Sequence, residues 1–260
     1  MNILEEILEH KRQEIALLKK TVSLERLKDM PNFVRQCHSL QRALDGKDIA
    51  IIAEMKKASP SKNIIREDFN PLDIAREYVG GGASALSVLT DKKYFQGDIH
   101  FIEDIRSSVP IPILRKDFII DSYQLAEAKA FGADAVLLIV ATLKPERLRD
   151  LFKEAVALGL ECLVEVHTLR ELNIINFAPA RIIGINNRNL SNFTVDISTT
   201  IRVASRIPKD IIVVSESGIT SRADIDQLKA HGIHAVLVGE SLMRAKHPGD
   251  ALKAFLLKKN

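Results

Sequence analysis

The chain has 260 residues, 46% of them hydrophobic and 27% charged, which suits one barrel-sized domain of roughly 250 residues or two small ones. Its 37 Lys and Arg against 34 Asp and Glu leave a formal charge of +3, with the two signs interleaved, so no basic stripe points to nucleic acid. Two cysteines, Cys37 and Cys162, are too few for a disulfide framework and point to a reducing compartment, and the longest apolar run, 135–141, is far too short to cross a bilayer.

The N-terminus, MNILEEILEHKRQ, carries acids where a signal peptide would carry a basic and then an apolar stretch, so a soluble cytoplasmic protein is expected. Ile3, Leu4, Ile7, Leu8, Ile15 and Leu18 recur at helical spacing, with charges read as the opposite face. Residues 1–47 are therefore expected to form a helical extension packed on the remainder, over one end of it. A free partner-binding helix is the lesser alternative.

From residue 48 onward a short apolar run, a polar turn and a helical segment recur. The expected strands are Ile49–Glu54, Ala85–Leu89, Ile111–Arg115, Ala135–Ile139, Cys162–Val166, Ile182–Ile185, Ile211–Val214 and Ala235–Val238. Runs this rich in Val, Ile and Leu mark strands buried on both faces, and their alternation with helices such as 71–79, 122–131, 145–158 and 222–231 implies a parallel sheet with right-handed crossovers. Eight such units favour a closed (β/α)8 barrel, an α/β fold, over 48–260. An internal repeat agrees: Gly82-Ala83-Ser84-Ala85, Gly132-Ala133-Asp134-Ala135 and Gly232-Ile233-His234-Ala235 each place a glycine at a helix end before a strand. A doubly wound open sheet is the alternative, but no G-x-G-x-x-G turn follows the first strand.

In a barrel, residues after a strand lie on the active face and residues before one on the opposite face. Gly80-Gly81-Gly82 precedes a strand and reads as a helix stop. His231 and His234 also precede one, and the other histidines show no ligand spacing, so no metal is expected. Strand ends carry the chemistry instead. Glu54 and Lys56 close the first strand two residues apart, and so point the same way. Lys116 follows the third. Glu165 is a carboxylate inside the otherwise apolar fifth, where burial without a partner would cost several kcal/mol or raise its pKa. Asn186 and Arg188 follow the sixth, Ser215-Glu216-Ser217-Gly218 the seventh, and Gly239-Glu240-Ser241 the eighth. The glycines after the last two strands suit a phosphate held by backbone N–H groups.

Six stretches in order together resemble the indole-3-glycerol-phosphate synthase family: 53–61 (AEMKKASPS), 114–118 (LRKDF), 163–167 (LVEVH), 184–188 (GINNR), 214–219 (VSESGI) and 239–243 (GESLM). The resemblance implies ring closure of 1-(2-carboxyphenylamino)-1-deoxyribulose 5-phosphate with loss of CO2 and water, in tryptophan biosynthesis and without a cofactor. It implies Lys116 as general acid on the ketone, Glu165 as base, Glu54 and Lys56 sharing proton transfer, and Asn186 orienting the substrate. It further implies Arg188 near the substrate carboxylate, with Ser59, Ser217, Gly218, Gly239 and Glu240 around the phosphate. Phe95, Phe118, Leu137 and Leu190 would wall the anthranilate ring, although core packing accounts for each of the four as well. The only partner implied is the small-molecule substrate, with a monomer and at most weak association with other tryptophan-pathway enzymes.

The chain departs from the family at Asn63, where glycine is usual, and at Asn189, where an acid is usual. Asn tolerates left-handed backbone, so the loop is expected to survive the first change. Three rivals remain at this level: another phosphate-binding barrel such as a sugar-phosphate isomerase, a Schiff-base aldolase through Lys116 or Lys56, and a barrel retained only for binding.

Overall fold

The computed structural model describes residues 3–60, 62–175, 179–189 and 193–257. Eight parallel strands close into a barrel: β1 Ala50–Met55, β2 Ala85–Leu89, β3 Ile113–Lys116, β4 Ala135–Ile139, β5 Glu161–Val166, β6 Ile182–Asn186, β7 Ile212–Glu216 and β8 Ala235–Val238. Each pairs with its sequence neighbour, and β8 closes on β1 with Ala50 opposite Ala235 and Ala53 opposite Val238. The expected strands are all present, with ends shifted by a residue or two. β3 begins only after Pro112, which has no N–H to offer a ladder. β7 runs two residues further than its apolar run, because Ser215 and Glu216 stay paired with β8 opposite Val236 and Leu237.

Helices cover the outside, and glycines end them as the repeat suggests. The helix Pro71–Gly81 stops at Gly82 (φ 95°) and the helix Ser122–Phe131 at Gly132 (φ 98°), both left-handed positions that cost glycine little. Asn63 also adopts left-handed backbone, with φ 53°, in the hairpin formed by Ala58–Ser59 and Asn63–Ile64. Among the described residues no helix is long and apolar enough to cross a membrane. Cys162 lies in the buried layer between sheet and helices, where burial pushes its thiol up to about 12.

Side chains alternate along each strand. Ile51, Ala53, Leu86, Val88, Ile113, Val136, Val164, Ile183 and Val213 face the helices. Ala50, Ile52, Ala85, Leu114, Leu137, Leu163, Ile182, Ile212, Val214 and Leu237 fill the interior. Continuing that second set upward by twos leads to Glu54, Lys116, Glu165, Asn186, Glu216 and Gly239. The apolar layers fill the barrel and the next layer is charged.

The residues before β1 meet the barrel at both ends. At the bottom, Leu40 and Leu44 of the short helix Leu40–Leu44 join the interior cluster, and Glu161 at the start of β5 accepts hydrogen bonds from Ser39 Oγ and Gln41 N, both at 2.7 Å. At the top, helix α1, Ile3–Thr21, sets Ile3, Leu4 and Ile7 on the rim of the central cavity, while Ile15 packs with Tyr123, Ala126 and Ala130. Lys11 does not lie on a solvated charged face but is buried, with Nζ 2.6 Å from Glu14, 2.8 Å from Asp91 and 2.9 Å from Asp117. Its spacing from Leu4, Ile7, Ile15 and Leu18 places it on the inner stripe.

Candidate active site

Above the charged layer lies a cavity of about 720 Å3 at the C-terminal ends of the strands, the face where barrels carry their chemistry. Glu54, Lys56, Lys116, Glu165, Asn186 and Glu216 form its floor, with Leu137 and Leu237 beneath. Sequence parity and strand register together dictate this meeting: Ile139 stands opposite Glu165, Leu89 opposite Lys116 and Asn186 opposite Glu216.

Lys116 is the hub. Its Nζ lies 3.0 Å from Glu165 Oε2 and 2.7 Å from Glu216 Oε2. Burial would lower the lysine pKa, but the charges of Glu165, Glu216 and Glu54 outweigh it and hold the ammonium well above its ordinary value. The two carboxylates move oppositely. Burial raises both, but Lys116 and then His167 carry Glu165 below the usual carboxylate range, whereas Glu216, with Glu165's charge against it, stays above. The pair is bridged by the one ammonium and titrates as a unit. Beside them Lys56 Nζ lies 2.6 Å from Glu54 Oε1, and Lys56 and Lys116 bring Glu54 down against its burial.

The hub is framed from outside the barrel. Arg115 points opposite to Lys116 and binds Thr90 Oγ1 at 3.1 Å, Asp117 at 3.1 Å and Glu127 at 2.7 Å. Asp117 in turn receives Lys11 of α1, and its pKa is held far below the usual value by Lys11 and Arg115 despite burial. Lys116 thus lies between two anchored neighbours, so its backbone is fixed from both sides.

Two glycines exist to admit carboxylates. A Cβ on Gly184 would overlap Glu216 Oε1, and one on Gly239 would stand 2.5 Å from Glu54 Oε1. Gly239 also occupies the N-cap of the short helix Glu240–Met243, with no side chain capping it. The Glu240 carboxylate is turned toward Arg244, 3.0 Å away, and Lys62, 3.9 Å away. Ser217 and Gly218 are both left-handed, with φ 66° and 82°. Ser59, Ser217, Gly218, Gly239 and Glu240 all line the cavity at this side.

The opposite wall is apolar. Phe95 and Phe118 stand 6.4 Å apart between ring centres and face the cavity with Leu137 and the α1 residues Ile3, Leu4 and Ile7. Leu190 lies outside the described residues. Arg188 lines the cavity and pairs with Val195, its N–H donating to Asn186 Oδ1 at 3.0 Å. Neighbouring Asn187 is instead structural, tying Ser215 Oγ, Ser217 O and Thr200 together. His234 is likewise structural: its Nδ1 accepts from Val213 N. Among the described residues no cluster of His, Cys, Asp or Glu is arranged to hold a metal ion.

Glu216 has no role legible in the sequence, because Ser215 and Glu216 look there like residues that follow the strand, although parity with Ile212 and Val214 sets it on the cavity floor. The extension expected over one end of the barrel brings Ile3, Leu4 and Ile7 to the cavity wall.

A family model described as indole-3-glycerol phosphate synthase matches residues 4–255. A protein of that name from Bacteroides thetaiotaomicron is 46% identical over 98% of this chain and 98% of its own. One from Burkholderia ambifaria is 47% identical over 96% and 97%. Among solved structures, thiamine phosphate pyrophosphorylase from Pyrococcus furiosus is 16% identical with a TM-score of 0.59, covering 84% of this chain and 96% of that one, a likeness of fold alone. The chain belongs to the indole-3-glycerol phosphate synthase family.

Proposed function

We infer that this chain closes 1-(2-carboxyphenylamino)-1-deoxyribulose 5-phosphate to indole-3-glycerol phosphate, releasing CO2 and water, as a step of tryptophan biosynthesis. The observation that carries this reading is the buried cluster of Glu54, Lys56, Lys116, Glu165 and Glu216 on the floor of a single cavity. Written with the substrate as its carboxylate, the conversion takes up one proton per turnover, so it needs acids as well as a base.

The phosphate sits at the glycine-bearing ends of β7 and β8. The uncapped helix start at Gly239, with the N–H groups of Gly218 and Glu240, suits an anion. Because the Glu240 side chain is engaged by Arg244 and Lys62, its charge is partly offset where the phosphate would lie. The anthranilate ring occupies the slot of Phe95, Phe118 and Leu137, Leu190 being the fourth wall expected from sequence. Arg188 faces the ring carboxylate until it leaves as CO2, and Asn186 orients the substrate hydroxyls.

Lys116 donates to the ketone oxygen as the ring carbon attacks, a preorganised ammonium aimed at developing negative charge. Lys56, held by Glu54, supports departure of the hydroxyl as water. Glu165, kept ionised, removes the proton whose loss makes the indole aromatic. A Schiff-base role for Lys116 needs a neutral amine, and the ionised Glu165 at 3.0 Å opposes that.

We also propose that residues 1–47 are an extension of the barrel at 48–260, that the chain is a monomer with at most weak association with other tryptophan-pathway enzymes, and that it works in the cytoplasm. The free thiols Cys37 and Cys162 support a reducing compartment. The test of function is incubation of the purified protein with the carboxyphenylamino substrate while indole fluorescence is followed. Indole-3-glycerol phosphate should accumulate; its absence would overturn the reading.

A further inference from the structure

Glu165 and Glu216 share one ammonium, and two buried carboxylates on one lysine do not both stay ionised. Something must decide which of them keeps the proton. If Glu165 is the base, the proton has to sit on Glu216, yet Lys116 lies marginally closer to Glu216 and so does not choose Glu165.

The difference between the two lies behind the cavity wall. Glu165 turns its second oxygen, Oε1, to His167 Nε2 at 3.4 Å. His167 is two residues further along the chain, on the same side. Its other nitrogen, Nδ1, is 3.3 Å from Glu171 Oε2, and that same oxygen accepts the His167 backbone N–H at 2.7 Å. Glu171 is held in turn by Thr168 Oγ1 at 3.1 Å, in the first turn of the helix Leu169–Leu172. His167 is almost fully buried and does not line the cavity, so it touches Glu165 and not the substrate. The second oxygen of Glu216 is buried with no hydrogen-bond partner among the described residues, and His167 Nε2 makes no hydrogen bond either, so what reaches Glu165 Oε1 is the charge of a ring 3.4 Å away.

We infer that His167 is a positioning residue that assigns the shared proton: wedged between Glu171 and Glu165, it sets its positive charge against Glu165, with no such contact to Glu216, and so leaves Glu216 as the protonated partner and Glu165 as the free base. The inference rests on the synthase reading for its catalytic meaning, but not for the proton assignment itself. The charged groups facing the ring are Glu165 on β5, Glu171 on the following helix and Glu216 on β7. All are acids. Burial pulls the ring's pKa down, but the Glu171 hydrogen bond and these charges more than reverse it.

The consequence is a coupling that a merely structural histidine would not show. In His167→Gln the proton is no longer directed to Glu216, and kcat at neutral pH should fall about tenfold, with the acid limb of the kcat profile displaced upward by about one pH unit and KM little changed. When Glu216→Gln is also present the competing carboxylate is gone, so adding His167→Gln to that background should cost less than twofold in kcat. Equal losses in both backgrounds, or a pH profile that superimposes on the parent's, would overturn the inference. Should His167→Gln fail to fold, Glu171→Gln, which weakens the charge on His167 from the solvent side, should move the acid limb the same way by a smaller amount; an unmoved limb there overturns the inference as well. A second readout needs no turnover. The 15N signals of His167 should be those of an imidazolium at pH 7, and a neutral ring would refute the proton assignment even if the parent makes indole-3-glycerol phosphate. Conversely, an imidazolium in a parent that forms no product would leave the assignment standing and remove only the synthase reading.

Discussion

The carboxylate of Glu54 occupies the space that a side chain at position 239 would fill: a Cβ on Gly239 would stand 2.5 Å from its Oε1 and 3.1 Å from its Cβ. Glycine is required here by approach and not by backbone angle, since its φ is −126°. Gly239→Ala should push Glu54 off Lys56, destabilise the fold by about 1–3 kcal/mol and reduce kcat by up to about 10²-fold. Thermal melting and steady-state turnover measure the two effects, and an unchanged kcat would detach the Glu54–Lys56 pair from catalysis.

Lys116→Ala removes the ammonium from between Glu165 and Glu216. Turnover should fall by about 10²–10⁴-fold, with the circular dichroism spectrum retained. Without the cation the folded-state pKa values of both carboxyls rise. A raised carboxyl stabilises the fold fully at acid pH and loses that contribution as pH climbs through its folded value. The variant should therefore melt closer to the parent at pH 5 than at pH 8. Near-parent turnover would take Lys116 out of the central role.

Glu216 presents the same linkage within the parent. Its folded pKa lies above the ordinary carboxylate value, chiefly through burial and the charge of Glu165. The folded chain thus binds a proton that the unfolded chain gives up, and stability declines as pH rises from the ordinary value toward the folded one. Glu216→Gln cannot lose that proton, so its melting temperature should fall less than the parent's between pH 5 and pH 8. Parallel melting curves over that range would show that Glu216 is not the protonated member.

Lys11 carries the opposite sign. Asp117 is held low by Lys11 and Arg115 against its burial, so its contribution is present above the ordinary aspartate value and lost as pH falls below it. Lys11→Met strands Asp91 and Asp117 with fewer partners and should cost about 3–5 kcal/mol near neutrality, by denaturant titration. The gap to the parent should narrow at acid pH. KM should rise too, because Ile3, Leu4 and Ile7 on the same helix wall the cavity. A variant of parental stability would mean that the three carboxylates find other partners.

Barrel and polarity were legible from the chain because strands buried on both faces read as unbroken apolar runs, and because connection direction fixes the active rim. Glu54, Lys116 and Glu165 stood out as charges at the ends of such runs. Glu216 did not, because Ser215 and Glu216 look like the start of a loop and only pairing with β8 keeps them in the strand. The burial of Lys11 is not legible because a lysine on an amphipathic helix ordinarily marks the wet face, and two of the carboxylates that bury it lie 80 and 106 positions away. The tilt of His167 toward Glu165 follows from Thr168 and Glu171 setting a helix start just beyond the strand, a local turn with no periodic signature.

Leu40 and Leu44 fill the floor of the barrel, and Ser39 and Gln41 are tied to Glu161, about 120 residues further along. During synthesis that segment leaves the ribosome long before its resting place exists. At ordinary translation rates the delay is on the order of ten seconds. Over the first part of that interval the α1 segment has nothing to lie against, and Lys11 is a solvated cation until two of its three carboxylates, Asp91 and Asp117, have been made. The part of the chain made first is therefore among the last to be fixed, and it is the part that stops one end of the barrel and walls the cavity at the other.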